Sequence, residues 1–279
     1  MVKHIQKGSG ASEPFNQTKL YQSVRSAGVE HSLAEEVAEM VAADDASLAS
    51  TNHLHVKTAQ LLLQRNQLAA AARYNLKRAI MELGPSGYPF EQFVAQVLER
   101  FNYQVRTNQQ VPGKCVTHEV DIIAQKKNQH YLVECKHHQF IGAKTDVKVA
   151  LYVYARFLDV SAVWQQRHQL SDQHYQPWVI TNTKVTSDAI QYAQCVQMRL
   201  LAWHFPAGEG LNHLLEEQRL YPITVLPMLT VQEKQLLIKQ QIIVIDQFVK
   251  QPLTQLFKRT GIRHDVLTQA YQAAGELLS

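Results

Sequence analysis

The chain has 279 residues, of which 46% are hydrophobic and 19% are charged, and its formal net charge is +4 in addition to 13 histidines. This composition is typical of a folded globular protein and excludes a largely disordered chain, and the length accommodates two or three domains. No apolar run approaches about twenty residues, so we expect no membrane span. The mild positive charge is compatible with nucleic acid as a partner but does not require it.

The three cysteines, Cys115, Cys135 and Cys195, are far apart and have no CxxC spacing. An odd number of isolated cysteines predicts reduced thiols and argues against both a disulfide framework and a zinc finger. The basic residues near the start are not followed by an apolar stretch, so we expect no secretory signal. These features together predict a cytoplasmic protein.

Three sections differ in their residue patterns and predict an α/β multidomain protein. Residues 1–84 have a short β-like start followed by apolar side chains at helical spacing, and predict a mostly helical domain. Gly84 and Pro85 end this helical pattern and mark a domain boundary. Residues 85–210 alternate between helical and strand patterns, and residues 211–279 predict a small helical accessory domain.

The amino-terminal section resembles the ATP-cone, a regulatory nucleotide-binding domain. The resemblance is carried by Lys7, Gly10, Glu13, Phe15, Asn16, Lys19 and Leu20, and by the stretch Thr51–His55. It implies ATP or dATP as a regulatory ligand, with Lys7, Lys19 and Thr51 at the phosphates or nucleotide and the turn from Glu13 to Lys19 around the base and ribose. Gly8 and Ser9 stand where the family has Arg and Asp.

The section also lacks a Walker-type GxxxxGK[ST] motif. We therefore expect nucleotide binding and regulation without ATP hydrolysis.

The central section begins with a predicted helix that has Pro89 in its first turn. Strand-like runs follow at 103–106, 119–124 and 130–136, and the spacing from Val147 to Leu158 predicts a second long helix. The Gln- and His-rich stretch 164–176 is predicted as a loop. A strand at 178–181, a helix at 186–197 and a strand at 198–203 complete an α/β domain with a mixed sheet.

Two of these runs carry the acidic residues Asp121 and Glu134. If the runs form a hairpin whose turn is centred on Lys127 and Asn128, facing residues have numbers that sum to 255. Asp121 then lies directly opposite Glu134, and Lys136 points to the same side of the sheet.

Two facing carboxylates repel one another unless a divalent cation lies between them. Mg²⁺ bound by one or two carboxylates retains coordination positions for water and a phosphate oxygen, and Lys136 would act on that water or on the phosphate charge. The alternative is a solvated hairpin in which Glu134 pairs with Lys136 or Lys126.

The order of these motifs resembles the PD-(D/E)xK nuclease superfamily, and more narrowly the Mrr-like restriction endonucleases and archaeal junction resolvases. The matching residues are Phe90-Glu91, Asp121-Ile122-Ile123 and Val133-Glu134-Cys135-Lys136, and the resemblance covers about residues 85–216.

The resemblance implies DNA as the substrate and Mg²⁺ or Mn²⁺ held by Asp121, Glu134 and the backbone carbonyl of Cys135. Lys136 would be catalytic. Glu91 is either an accessory acid or a first-turn glutamate that favours the helix dipole. Val116–Asp121 replaces the Gly-rich loop of common Mrr-like sequences, which leaves the structure of the DNA substrate open.

The last section carries no catalytic constellation. Thr230 and Glu233 predict a capping box at the start of a helix over Val231–Lys239. We expect this section to contact DNA or to support dimerisation, so a homodimer is left open as an assembly.

The leading hypothesis is a Mg²⁺-dependent DNA endonuclease regulated by a nucleotide-sensing cone. The alternatives are a nucleotide-responsive DNA-binding regulator that does not cleave, and a structure-specific repair or junction nuclease.

Overall fold

A computed structural model describes residues 4–6, 11–140, 142–167 and 174–279, with the backbone alone at 47 and 165–167. The chain divides into two compact units. The first contains the described residues of 1–82, 140–142 and 221–279, and the second contains those of 83–139 and 143–220. Among the described residues, no helix combines the length and the apolar character that crossing a membrane would need.

The first unit is mainly helical. A two-stranded antiparallel hairpin precedes its helices, which come from both ends of the chain. Its elements are β1 (His4–Gln6), β2 (Ser12–Pro14), α1 (Gln17–Ser26), α2 (His31–Ala43), a 3-10 turn (Ser47–Ala49), α3 (Thr51–Gln64), α4 (Leu68–Met81), a second 3-10 turn (Ile223–Val225), α9 (Val231–Lys239), α10 (Ile245–Val249), α11 (Leu253–Thr260) and α12 (His264–Leu278).

The amino-terminal helices and the tail share this unit because both pack on α4. The predicted helical spacing places a buried apolar cluster between α1, α2, α3 and α4, and α4 also contacts α12. Thr224 Oγ1 donates to the Ala79 carbonyl at 2.6 Å, and the Lys234 ammonium donates to Glu82 Oε2 at 2.9 Å. The tail therefore contributes to the same folded unit as residues 4–82.

The second unit contains a five-stranded sheet with helices. Its elements are α5 (Tyr88–Arg100), β3 (Gln104–Pro112), β4 (Thr117–Lys126), β5 (Gln129–Lys136), β6 (Lys144–Thr145), α6 (Val147–Arg167), β7 (His174–Thr181), β8 (Lys184–Val185), α7 (Ser187–Cys195), β9 (Arg199–Leu201) and α8 (Leu211–Glu217). The helix α8, which the sequence pattern groups with the tail, belongs to this second unit.

The strand order of the main sheet is β3-β4-β5-β7-β9. The pairs β3–β4 and β4–β5 are antiparallel, whereas β5–β7 and β7–β9 are parallel. The predicted mixed sheet is thereby confirmed. A separate parallel pair, β6–β8, lies outside the main sheet.

The hairpin of β4 and β5 has the predicted register. The pairs run from Lys126–Gln129 to Ile122–Val133, so the numbers of facing residues sum to 255 and the turn is centred on 127 and 128. Lys127 has a positive φ of 55°, a left-handed turn conformation.

The predicted loop over 164–176 is wrong at both ends. The helix α6 continues through Arg167, and β7 already begins at His174; residues 168–173 lie outside the described part of the chain. Phe157 and Trp164 pack against the buried Val160 and its neighbours, and the Trp164 ring contacts Tyr175 with centroids 4.9 Å apart. This apolar side of the helix offsets the polar composition on which the loop prediction relied.

Candidate active site

Asp121 and Glu134 lie one position beyond the last recorded pair of the β4–β5 ladder, Ile122–Val133. Asp121 Oδ2 accepts a hydrogen bond of 2.7 Å from the backbone N–H of Cys135, the residue after Glu134. This bond holds the Asp121 carboxylate against β5, beside Glu134.

Negatively charged side chains lie close together around Asp121 and Glu134. Burial, followed by the charge of Glu134, raises the pKa of Asp121 from 3.8 to about 7. Burial also raises the pKa of Glu91, to which the charges of Glu134 and Glu119 contribute. A partly buried cluster of mutually repelling carboxylates is the electrostatic setting in which a bound cation gives the largest gain. We call Glu91, Asp121 and Glu134 the acidic cluster.

Glu91 reaches the acidic cluster because α5 begins beside the end of β5. The Phe90 ring, which is fully buried, stacks on His137 with ring centroids 5.2 Å apart. Glu91 occupies the first turn of α5, where it also favours the helix dipole. Its position near Glu134 agrees with an accessory acid, and that role stays a prediction.

Glu134 is engaged by two side chains of α6. Arg156 Nη1 donates to Glu134 Oε2 at 2.7 Å, and the Tyr152 hydroxyl donates to Glu134 Oε1. Burial, followed by the Glu134 charge, raises the pKa of Tyr152. The guanidinium of Arg156 also lies 5.2 Å from the centre of the Tyr152 ring.

The lysine pairing that the solvated-hairpin alternative assumes is not formed. Lys126 donates to the Phe101 carbonyl at 2.8 Å. Among the described residues, the ammonium group of Lys136 makes no ion pair. Lys136 is therefore available for another negative group.

A buried polar network fixes the backbone that follows Lys136. Thr181 Oγ1 donates to the Lys136 carbonyl at 2.8 Å and accepts from Thr145 Oγ1 at 3.0 Å. Asn182 holds His138 by accepting from its N–H at 2.9 Å and donating to its carbonyl at 2.7 Å. These contacts orient the end of β5, on which two candidate catalytic residues lie.

The donor set fits a hard divalent cation. In the described part of the chain, no three or more His, Cys, Asp or Glu side chains stand together as a ready metal cage. Mg²⁺ does not require one, because it accepts one or two carboxylates and retains several waters. Asp121, Glu134 and the Cys135 carbonyl would supply such oxygens, although Glu134 must first exchange its α6 partners.

Two side chains of the site were not singled out from the sequence: Tyr152 and Arg156. Tyr152 and Arg156 are four residues apart and therefore share one side of α6. Polar groups at this spacing inside an amphipathic helix were a usable signal. The spacing does not show which strand residues these two side chains contact, because that depends on the tertiary structure.

A cavity of about 530 Å³ lies on the other face of the sheet. Trp178 and Arg199 line it, and the guanidinium stacks 4.0 Å from the Trp178 ring centre. Val179, the neighbour of Trp178, pairs with Glu134, and successive strand residues point to opposite faces. The cavity is therefore separate from the acidic cluster.

The candidate nucleotide residues lie in the first unit. Glu13 is in β2, Lys19 is exposed in α1, and Thr51 begins α3. A bridge between Gln6 and Ser50 brings the end of β1 to the start of α3. Lys7 lies outside the described residues.

Comparison with known proteins defines the class. The restriction endonuclease model, Mrr_cat, matches residues 84–206, and the model described as AF1548-like, C-terminal, matches residues 221–278. The first range contains the acidic cluster and the sheet that supports it. The second unit is therefore a restriction endonuclease-like, nuclease-type domain.

Two relatives define the family. An uncharacterized protein of Archaeoglobus fulgidus is 42% identical over 133 residues, which are 48% of this chain and 71% of that protein. The crystal structure of a protein of unknown function, AF1548, matches with 32% identity and a TM-score of 0.57, covering 69% of this chain and 98% of that one. The chain belongs to the AF1548-like family.

Proposed function

We propose that this protein is a DNA endonuclease that depends on Mg²⁺ or Mn²⁺. The observation that carries the proposal is the convergence of Asp121, Glu134 and Glu91 in a restriction endonuclease-like domain. Lys136, which makes no ion pair within the part of the chain that the structure describes, lies on the same strand as Glu134. The cytoplasmic location expected from the reduced cysteines belongs to this proposal; all three cysteines are free.

Asp121 and Glu134, with the Cys135 carbonyl, would hold the cation, which when bound activates water and neutralises phosphate charge. Asp121 must lose its proton for this role, and its pKa of about 7 sets the pH range in which it does so. Lys136 orients the attacking water or stabilises negative charge on the phosphate. Glu91 adds a third carboxylate at the edge of the cluster.

The direct test is DNA cleavage. Supercoiled, linear, modified and branched DNA are incubated with Mg²⁺ or Mn²⁺, and we expect cleavage that Glu134→Ala and Lys136→Ala reduce by at least about a hundredfold, as loss of a metal ligand or electrostatic stabiliser does. The matched controls are Glu216→Ala and Lys127→Ala, which change exposed residues of the second unit outside the acidic cluster.

The form of DNA that is cut separates the alternatives. Cleavage confined to branched DNA identifies a structure-specific nuclease. Tight binding without cleavage by the wild-type protein, in every metal and on every DNA, contradicts the enzyme and supports a DNA-binding regulator.

We propose that the first unit binds ATP or dATP as a regulatory ligand. The favouring observation is the bridge from Gln6 to Ser50, which brings the end of β1 to the amino terminus of α3, an end suited to phosphate. The same cleavage assay therefore includes arms with ATP and with dATP. Lys19→Ala is expected to remove the nucleotide effect and any accompanying thermal shift, whereas Lys57→Ala is not.

A further inference from the structure

Glu134 already has a cationic partner. The Arg156 guanidinium and the Tyr152 hydroxyl bind its two different oxygens, so both oxygens that a metal would use are occupied by protein donors. The side chains of Glu134 and Arg156 are 13% and 23% exposed, so this pair is only slightly screened by solvent.

Arg156 also acts on the rest of the cluster. Its charge lowers the pKa of Asp121, opposing the larger effects of burial and Glu134. The groups that face one another here are Asp121, Glu134 and Glu91 from the sheet and α5, with Tyr152 and Arg156 from α6. Arg156 is thus positioned to neutralise the cluster.

We propose that Arg156 is a built-in counter-ion that competes with the divalent metal for Glu134 and so sets the metal concentration at which the site loads. The inference rests on the proposed function, because it concerns the same carboxylate. Arg156 is a positioning residue: it holds Glu134 through one carboxylate oxygen, and Tyr152 reinforces this hold through the second oxygen.

The proposed competition predicts the direction in which metal affinity changes when Arg156 is removed. Removing a positive charge beside a cation site strengthens cation binding, and removing a donor from Glu134 leaves its oxygens free. A residue that only supported the fold, or that only aligned Glu134 for the metal, would on removal leave metal affinity unchanged or lower it.

The experiment is titration of the full-length, EDTA-treated protein with Mn²⁺ in a calorimeter. We expect Arg156→Met to lower the dissociation constant at least about fivefold, the factor that a unit charge at about 4 Å gives even in bulk water. Arg156→Lys retains the charge and should stay close to wild type. Tyr152→Phe removes one donor and should tighten binding to a smaller extent.

Circular dichroism identifies any variant that fails to fold. If Arg156→Met does not fold, Tyr152→Phe is compared with Arg156→Lys. The proposal then requires Tyr152→Phe to bind Mn²⁺ more tightly than Arg156→Lys. Unchanged or weaker binding in folded Arg156→Met overturns the competition. If the wild-type protein binds no Mn²⁺, or if Glu134→Gln binds it equally well, the metal site itself is refuted and this inference is refuted with it.

Discussion

At the scale of single residues, the two facing carboxylates have different surroundings. Asp121 accepts from one backbone N–H, whereas Glu134 is bound by a guanidinium and a phenol. Burial and the neighbouring charge of Glu134 disfavour ionisation of Asp121. The pKa of Asp121, raised to about 7, makes this carboxyl sensitive to pH near neutrality.

Asp121 should make the metal-free protein less stable as pH rises. Its pKa is 3.8 when unperturbed and about 7 in the folded chain, so between these values the folded state holds a proton that the unfolded chain has lost. The contribution of Asp121 to the free energy of unfolding is therefore fully present below about pH 4 and is lost as the pH rises toward 7. Urea unfolding in EDTA should show this decline in wild type and a weaker one in Asp121→Asn, which cannot ionise.

The exposed Asp188→Asn serves as the control and should follow wild type. If the free energy of unfolding fell equally with pH in wild type and in Asp121→Asn, the raised pKa of Asp121 would be contradicted. If the proposed metal site binds Mg²⁺ or Mn²⁺, we expect the opposite trend with metal present, because binding would require the carboxylate and would strengthen as pH rises through about 7.

At the scale of elements, α6 contacts two separate parts of the second unit. Its first half presents Tyr152 and Arg156 to Glu134, and its second half presents Asp159 to the β3–β4 loop. Asp159 accepts from the Cys115 N–H at 2.8 Å, the Val116 N–H at 3.3 Å and His118 Nε2 at 2.8 Å. These contacts hold the pKa of Asp159 well below its usual range, and the hydrogen bond from His118 has the largest effect.

Asp159→Ala should loosen this loop and destabilise the second unit. Three donors lose their acceptor, and we expect the free energy of unfolding to fall, since charged acceptors give the stronger hydrogen bonds. Hydrogen exchange at Cys115 and Val116 should accelerate in the variant. Wild-type exchange rates at both amides would show that Asp159 does not hold the loop.

At the scale of the whole molecule, the ends of the chain fold together. The ion pair between Lys234 of the tail and Glu82, which follows α4, links segments that are 152 residues apart. Lys234 is 6% exposed, and Glu82 also accepts from Arg78. The tail is therefore part of the stability of the first unit.

Glu82→Ala should destabilise the first unit more than Lys234→Met does. Loss of Glu82 leaves a buried ammonium group unpaired, at a cost of about 3 kcal/mol. Lys234→Met removes the charge and keeps an apolar side chain, while Glu82 retains Arg78. Urea unfolding compares the two, and limited proteolysis of Glu82→Ala should expose both 11–82 and 221–279. Equal losses in the two variants would contradict a buried unpaired charge as the cause.

The sequence by itself determined the local structure and the hairpin. Alternating apolar and polar residues and a polar turn set the register in which the numbers of facing residues sum to 255. A slip of one residue would move every side chain of the strand to the other face of the sheet. The capping box of Thr230 and Glu233 and the helix after it also follow from local hydrogen bonding. The ATP-cone and the identity of the metal stay predictions.

Only the tertiary structure decided which distant groups meet. Arg156 reaches Glu134 through the packing of α6 on the sheet, and the tail joins α4 through buried contacts across more than a hundred residues. Helical spacing specifies which side chains share a face, but it does not specify the surface against which that face packs. For that reason the hairpin that carries the two carboxylates was predictable from residue order, whereas the arginine that pairs with Glu134 was not.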